Sequence, residues 1–410
     1  MKTEILNTGS ELLLGHVVNT HLSWLARELF ALGLRVERQV TVPDGSVIRE
    51  ALAQALERSD LVIVTGGLGP TSDDVTREAT AELLGRPLLP DAAVRADLDA
   101  FFTRLGRTPT ENNFRQTLVP QGATVLRNDY GTAPGLVLEE KGKIVVLLPG
   151  PPRELKPMWI DQFTPWLRGR VSGPALKERC WTIVGIGESR VAEMIEEEVL
   201  KIAAFEVGYC ARPGEVDFRL VASGQNIPLL DQAAALVRAK FGTAIATEDH
   251  EALETCVIRL ALEKRLVIAT AESCTGGLVA HRLTNVPGSS AAFGYGWVTY
   301  ANEAKISQLG VTAPLFAQDG PGAVSRETAL AMADGARQQA GADLAVAVTG
   351  IAGPDGGTPD KPVGTVWIAL STANGTEAEQ RLFARDRETF KTMASQAALD
   401  LLRRELQKRP

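Results

Sequence analysis

Short runs of β-branched and aliphatic residues alternate along the chain with stretches in which apolar positions recur every three or four residues. Residues 60–65 (DLVIVT), 143–148 (KIVVLL) and 266–271 (LVIATA) read as buried strands. Residues 5–8 and 35–42 supply further strands in the first third. Helical spacing fills 20–32 and 44–58, the latter with Ala51, Ala55 and Leu56 on one face. Strands alternating with helices, with glycine at the strand ends, predict a mostly parallel sheet covered on both faces.

The pattern changes after 169–174, a polar stretch marked by glycine and proline that reads as a linker. A strand at 179–184, an acidic amphipathic helix at 188–200, a strand pair at 205–209 and 215–222, and a helix at 228–241 describe a small α+β module. From His250 the alternation returns: helices at 275–283, 302–309, 325–339 and 385–407, strands at 293–300, 344–349 and 364–370. The expected fold is α/β, with two doubly wound α/β domains, 1–170 and 250–410, joined by a small α+β module over 171–249. There is no internal repeat and no low-complexity tract.

Composition narrows the function. The 410 residues suffice for two or three domains with cores of their own. Lys+Arg 43 against Asp+Glu 50 gives a net charge of -7, and residues 171–250 alone hold 8 basic against 12 acidic residues. Direct nucleic-acid binding, which needs a basic footprint, is not expected. Aromatics at 5% also make a base-stacking platform a poor fit. No uninterrupted apolar stretch of about 18 residues occurs, so no membrane helix is expected. The opening MKTEILNTGSELLLG is too short and too interrupted in its apolar run for a signal peptide, and a cytoplasmic location is expected. Cys180, Cys210, Cys256 and Cys274 form no CxxC pair and are expected to be reduced, buried thiols. Four scattered histidines argue against a histidine metal site or a Ser-His-Asp triad.

Two constellations carry chemistry. In the first, the strand ending at Thr65 runs into Gly66, Gly67 and Gly69, which let backbone N–H groups approach a phosphate. A helix is expected from about Ser72, and Asp73 and Asp74 at its start offer oxygen ligands to a divalent cation, with Glu11 facing the same cleft. The same residues also describe a tight turn with Ser72 as N-cap and two aspartates complementing the helix dipole. In the second, Ser273 follows a buried strand and precedes a helix, in a position for a nucleophile with backbone N–H groups nearby. Tyr300 ends the next strand. With Asn302 as N-cap, Lys305 falls in the first helical turn, where the dipole lowers its pKa and suits it to deprotonate a serine. A capping Ser273 or Thr275 with a solvated Lys305 is the alternative, and Cys274 is a rival nucleophile. The glycine-rich stretch from Val348 to Gly357 is long enough to wall a pocket.

These residues lie in strings that resemble the competence-damage-inducible protein A (CinA) family over essentially the whole chain. The strings are TGGLGPTSDDVTREA from Thr65, GTAPG from Gly131, LPGPPRE from Leu148, AESCTGG from Ala271, YANEAK from Tyr300, GAVS from Gly322 and VTGIAGPDGG from Val348. The resemblance implies a molybdopterin-biosynthesis-like N-terminal domain that hydrolyses ADP-ribose to AMP and ribose 5-phosphate with a divalent metal; on the residue reading above, Asp73 and Asp74 would hold that metal, with Glu11 assisting. It implies a K-homology-like fold for the central module, and a homodimer. It implies a C-terminal amidohydrolase that needs no cofactor and converts nicotinamide mononucleotide to nicotinate mononucleotide and ammonia. The serine, tyrosine and lysine of that pattern fall on Ser273, Tyr300 and Lys305. Substrate contacts are expected from Gly276, Gly277, Thr349, Gly350, Gly353 and Arg387, and in the first domain from Gly66, Gly67 and Gly69. The alternative for the N-terminal half is a non-catalytic pterin- or nucleotide-binding module in a competence or DNA-damage partner protein. Departures from the family pattern include His21 after Asn19 and Thr20, Arg385-Asp386-Arg387 followed by Phe390-Lys391, an inserted stretch at 313–321, and Gly185-Ile-Gly187 where a GxxG loop is usual.

Overall fold

The structure, a computed structural model, describes residues 1–171 and 174–409, so the linker expected at 169–174 lies partly outside the described residues. The chain divides into two compact units, residues 1–177 and residues 178 onward.

In the first unit a six-stranded sheet runs Val36–Val42, Thr3–Thr8, Leu61–Thr65, Lys143–Leu148, Gly135–Glu140, Thr124–Leu126. The first four strands are parallel and the last two are antiparallel additions. Alternate residues of each central strand go to opposite faces. Ile5, Ile63, Val146 and Leu148 pack with Leu25, Leu29, Trp159 and Phe163 on one side. Leu6, Val62, Val64, Val145 and Leu147 pack with Ile48 and Leu52 on the other. Burial on both faces is why these strands read as continuous apolar runs. In helix Val47–Arg58 the buried stripe is Ile48, Leu52 and Ala55, with Ala51 and Leu56 half-buried beside it.

The second unit holds two sheets. The small module is a four-stranded sheet, Glu206–Arg212, Glu215–Ser223, Leu176–Val184, Ile245–Glu248, packed under helices Glu188–Leu200 and Leu230–Phe241. The following α/β part is a five-stranded sheet ordered Phe293–Val298, Ile268–Glu272, Leu344–Gly350, Thr365–Thr372, Gly375–Leu382. Its first three strands are parallel, and the last two form an antiparallel hairpin at the edge. One face carries Val257, Val279, Leu283, Phe390 and Leu399. The other carries Leu309, Met332, Ala333 and Ala336. The buried Arg403 of the terminal helix Arg387–Lys408 donates to the carbonyls of Ile245 (3.0 Å) and Thr243 (2.8 Å), so this helix joins the module to the α/β part. Among the described residues no helix is long and apolar enough to cross a membrane.

Candidate functional sites

Both candidate sites lie at the carboxyl ends of parallel strands. In the second unit, strand Ile268–Glu272 ends in the turn 273–277, and Gly276 and Gly277 take φ of 63° and 94°. Helix Leu278–Thr284 starts three residues later than the sequence pattern predicts, because Ser273 to Gly277 are spent in that turn. The positive end of the helix is already occupied. Glu272, buried, accepts from the N–H groups of Gly277 (3.0 Å), Val279 (3.0 Å) and Ala280 (2.8 Å). These donors therefore do not face an oxyanion or phosphate, as the sequence reading expected. Glu272 is a residue that reading missed. Its signal is a carboxylate at a strand end, just before a Gly-Gly helix start.

Ser273 is 9% exposed, and among the described residues its hydroxyl takes no hydrogen-bond partner. Lys305 is 1% exposed. Its helix, Asn302–Leu309, is capped by Ala301 rather than Asn302, which puts Lys305 one position deeper than expected, with its N–H on the carbonyl of Ala301 (3.3 Å). Its amine donates to the main-chain carbonyls of Thr299 (2.8 Å) and Tyr300 (3.2 Å). The Lys305 pKa lies below the ordinary lysine value, as expected, but burial is the main cause, with opposing pulls from Cys274 and Glu303. A neutral amine has two N–H bonds and one lone pair. Two carbonyls take the two N–H bonds, and the lone pair is left over to accept a proton. Cys274 is 4% exposed, and burial pushes its thiol up to about 12. It is therefore not a thiolate nucleophile at neutral pH.

Tyr300 points away from this pair. Its ring is 60% exposed, and its hydroxyl accepts from Arg387 (2.6 Å), which also donates to the carbonyl of Gly353 (2.9 Å). Among the described residues, the Tyr300 hydroxyl has no bond to Ser273 or Lys305 through which it could relay a proton. Its main chain holds Lys305 and its phenol holds Arg387. Four residues on, along the same helix face, the amine of Lys391 stands 3.6 Å from where a side chain on Gly276 would begin. Lys391 thus borders the turn while Arg387 binds Tyr300 and Gly353, and Lys391 was not among the expected contacts. Thr349 is inward, its hydroxyl given to the carbonyl of Ala323 (2.7 Å), and Gly350 closes the strand against Thr365, where a Cβ would meet a carbonyl at 2.7 Å. Neither offers a side-chain atom to a ligand.

In the first unit a cleft of about 480 Å³ is lined by Glu11, Gly66, Gly67, Gly69, Asp73, Asp74, Tyr130, Gly131, Gly150, Arg153 and Glu154. Its floor is bare backbone by necessity. A Cβ on Gly66 would sit 2.5 Å from the Thr8 carbonyl, and one on Gly67 would sit 2.1 Å from Thr76 Oγ1. The helix after this loop is Thr76–Leu83 and is capped by Val75, so the start expected near Ser72 is displaced by four residues. Residues 70–75 form a turn in which Asp74 accepts from the N–H (3.0 Å) and hydroxyl of Thr71. Bonding to Thr71 also holds the exposed Asp73 below the usual carboxylate range. Glu154, Arg153 and Tyr130 were not expected in this cleft. Arg153 and Glu154 lie in the string LPGPPRE, and Tyr130 stands immediately before GTAPG.

The oxygen donors Glu11, Asp73 and Asp74 are of the class that hard divalent cations take. Their spacing does not suit a closed cage. Among the described residues, one group of three potential ligands lies within 4.8 Å of one another, and it is Cys180, Asp217 and His250. The expectation of four buried cysteines also needs correction, because Cys210 is exposed on the edge strand Glu206–Arg212, whose last three residues all face solvent.

Comparison with known proteins agrees with this three-part layout. Residues 4–169 match a probable molybdopterin binding domain, 178–245 the damage-inducible protein CinA KH domain, and 250–406 the CinA C-terminal domain. A CinA-like protein of Akkermansia muciniphila is 47% identical over 402 residues, covering 97% of this chain and 96% of its own. A putative competence-damage inducible protein of Symbiobacterium thermophilum is 47% identical, with 99% of each chain covered. A solved competence/damage-inducible protein of Agrobacterium tumefaciens is 42% identical over 38% of this chain and 95% of its own, with a TM-score of 0.35. With similarity running from end to end and all three domains in order, the chain belongs to the CinA family.

Proposed function

We propose that the C-terminal site deamidates nicotinamide mononucleotide to nicotinate mononucleotide and ammonia. The observation that carries this reading is Lys305: a buried amine, held by two carbonyls and biased toward its neutral form, close enough to the Ser273–Cys274 turn for its charge to act on the Cys274 thiol. The Lys305 lone pair takes the Ser273 proton as Oγ adds to the carboxamide carbon. The same proton returns to the departing nitrogen, the C–N bond breaks and ammonia leaves. Water then adds to the acyl ester, losing a proton to Lys305. The carboxylate product leaves, and Ser273 recovers its hydroxyl. Ser273 Oγ and Lys305 Nζ are not hydrogen-bonded in the free chain, and catalytic bonds of this kind often tighten only with substrate bound. Arg387 and Lys391 supply the charge that a nucleotide phosphate requires.

Ammonia release from nicotinamide mononucleotide by the full chain tests this reading. Ser273→Ala is expected to abolish it, and Cys274→Ala to leave it within a few-fold. The reverse pattern overturns the assignment.

For the N-terminal cleft the glycine floor and its carboxylate rim favour binding a nucleotide diphosphate, and we read its activity as hydrolysis of ADP-ribose to AMP and ribose 5-phosphate. AMP formation that requires added magnesium or manganese and disappears in Asp74→Asn supports hydrolysis. Binding of ADP-ribose without AMP formation under all metals supports a non-catalytic nucleotide or pterin module.

A further inference from the structure

We propose that Cys180, Asp217 and His250 bind one zinc-class divalent ion within the small module. Their ligand atoms lie within 4.8 Å of one another, and they come from three separate segments. Cys180 is on strand Leu176–Val184, and Asp217 is on the neighbouring strand Glu215–Ser223. His250 follows strand Ile245–Glu248, which pairs with the other edge of the Cys180 strand. The three side chains thus meet across a sheet.

The turn carrying His250 is held in an unusual shape. Asp249 and His250 both take left-handed φ, 52° and 64°, although neither is glycine. The N–H of Asp249 bonds the Cys180 carbonyl at 2.7 Å, and Arg179 grips its carboxylate at 3.0 Å. This brings the imidazole back toward the strand that carries the thiol.

The donors suit a borderline metal. One sulfur, one imidazole nitrogen and one carboxylate oxygen, with water as fourth ligand, make a tetrahedral zinc set. Glu178 bonds Nε2 of the His250 ring, the kind of outer carboxylate that fixes a metal-binding imidazole. Asp217 retains a free acceptor position. Its Oδ1 takes Thr182 (2.7 Å) and Arg212 (2.8 Å), and its Oδ2 takes Arg212 (2.7 Å), out of about four lone-pair sites. Arg212 and Arg219, the latter 3.6 Å from Glu178, offset the negative charge that the ligands bring. Cys180 is buried but His250 is mostly exposed, so the ion enters from the histidine side. As the metal–sulfur bond forms, the thiol proton leaves to solvent. The ion would tie the opening and middle strands of the module to the turn that leads into helix Leu253–Lys264.

Titration of the full chain with cobalt(II) reads this site directly, because only a thiolate ligand produces a near-ultraviolet sulfur-to-cobalt charge-transfer band. The band is expected to saturate at one equivalent and to be displaced by zinc. It should survive Cys210→Ser and vanish in Cys180→Ser. His250→Gln alters an exposed side chain and keeps the experiment decisive where the buried cysteine variant misfolds; it should weaken zinc binding at least about 100-fold, and Glu178→Gln about 10–100-fold. Absence of the band in the parent chain, or its persistence in His250→Gln with unchanged affinity, overturns the proposal.

Discussion

Replacing Lys305 by methionine keeps the length and apolar stem of the side chain and removes the amine. Two hydrogen bonds are lost, to the carbonyls of Thr299 and Tyr300. At a net 0.5–1.5 kcal/mol each, this costs about 1–3 kcal/mol. Against this, a polar group buried to 1% exposure gives way to an apolar one that suits the site. The two changes offset, and stability is expected to move by no more than about 2 kcal/mol. Activity behaves otherwise. A general base contributes about 10²–10⁴ in rate, or about 3–5.5 kcal/mol of barrier.

The pH dependence adds a second reading. Lys305 has a lowered pKa in the fold, so between that value and the unfolded value near 10.5 the unfolded chain binds the extra proton. Stability of the parent therefore rises with pH across that window, relative to Lys305→Met. Below the folded pKa the parent carries the whole penalty of a buried charge. Ammonia release measured beside thermal unfolding across pH checks both statements. A methionine variant within tenfold of parental activity would refute the amine as base. A stability difference flat with pH up to 10.5 would refute burial as the cause of the lowered pKa.

Glu272→Gln keeps the size of the side chain but places an NH₂ group against backbone donors, and it should destabilise the second unit by about 2–3 kcal/mol, read by chemical denaturation. Gly67→Ala combines a left-handed φ of 64° with a Cβ aimed at Thr76 Oγ1, and should lower the stability of the first unit by about 2 kcal/mol and weaken nucleotide binding there by calorimetry. Arg387→Met removes the bonds to Tyr300 and Gly353, and is expected to raise KM for nicotinamide mononucleotide about tenfold with a smaller change in kcat.

The strand–helix alternation was legible where burial is two-sided. LVIVT and KIVVLL read as strands and are strands. Edge strand Gly375–Leu382 was not, because its half-exposed sequence GTEAEQRL looks like a surface loop until its partner Thr365–Thr372 is in place. The turns before helices were the other failure. Ser72 and Asn302 have the chemistry of N-caps, yet the helices start at Thr76, under Val75, and at Asn302, under Ala301. The expected direction of the Lys305 pKa shift agrees with the structure, but burial rather than a first-turn helix dipole is its main cause. Glu272 bonds residues only five to eight positions later, so its role had a local pattern to read, whereas the outward turn of Tyr300 depends on Arg387, 87 residues away, and has none.

With Glu272 holding the N-terminus of helix Leu278–Thr284, the fold neutralises the helix pole with its own carboxylate. The cation beside this turn is then Lys391, with Arg387 four residues before it, both more than 100 residues later on the terminal helix. In the mechanism proposed above, the bond-breaking and the charge-recognising groups belong to separate segments, so new preferences among anionic ligands can be installed on the last helix while the serine turn is left untouched.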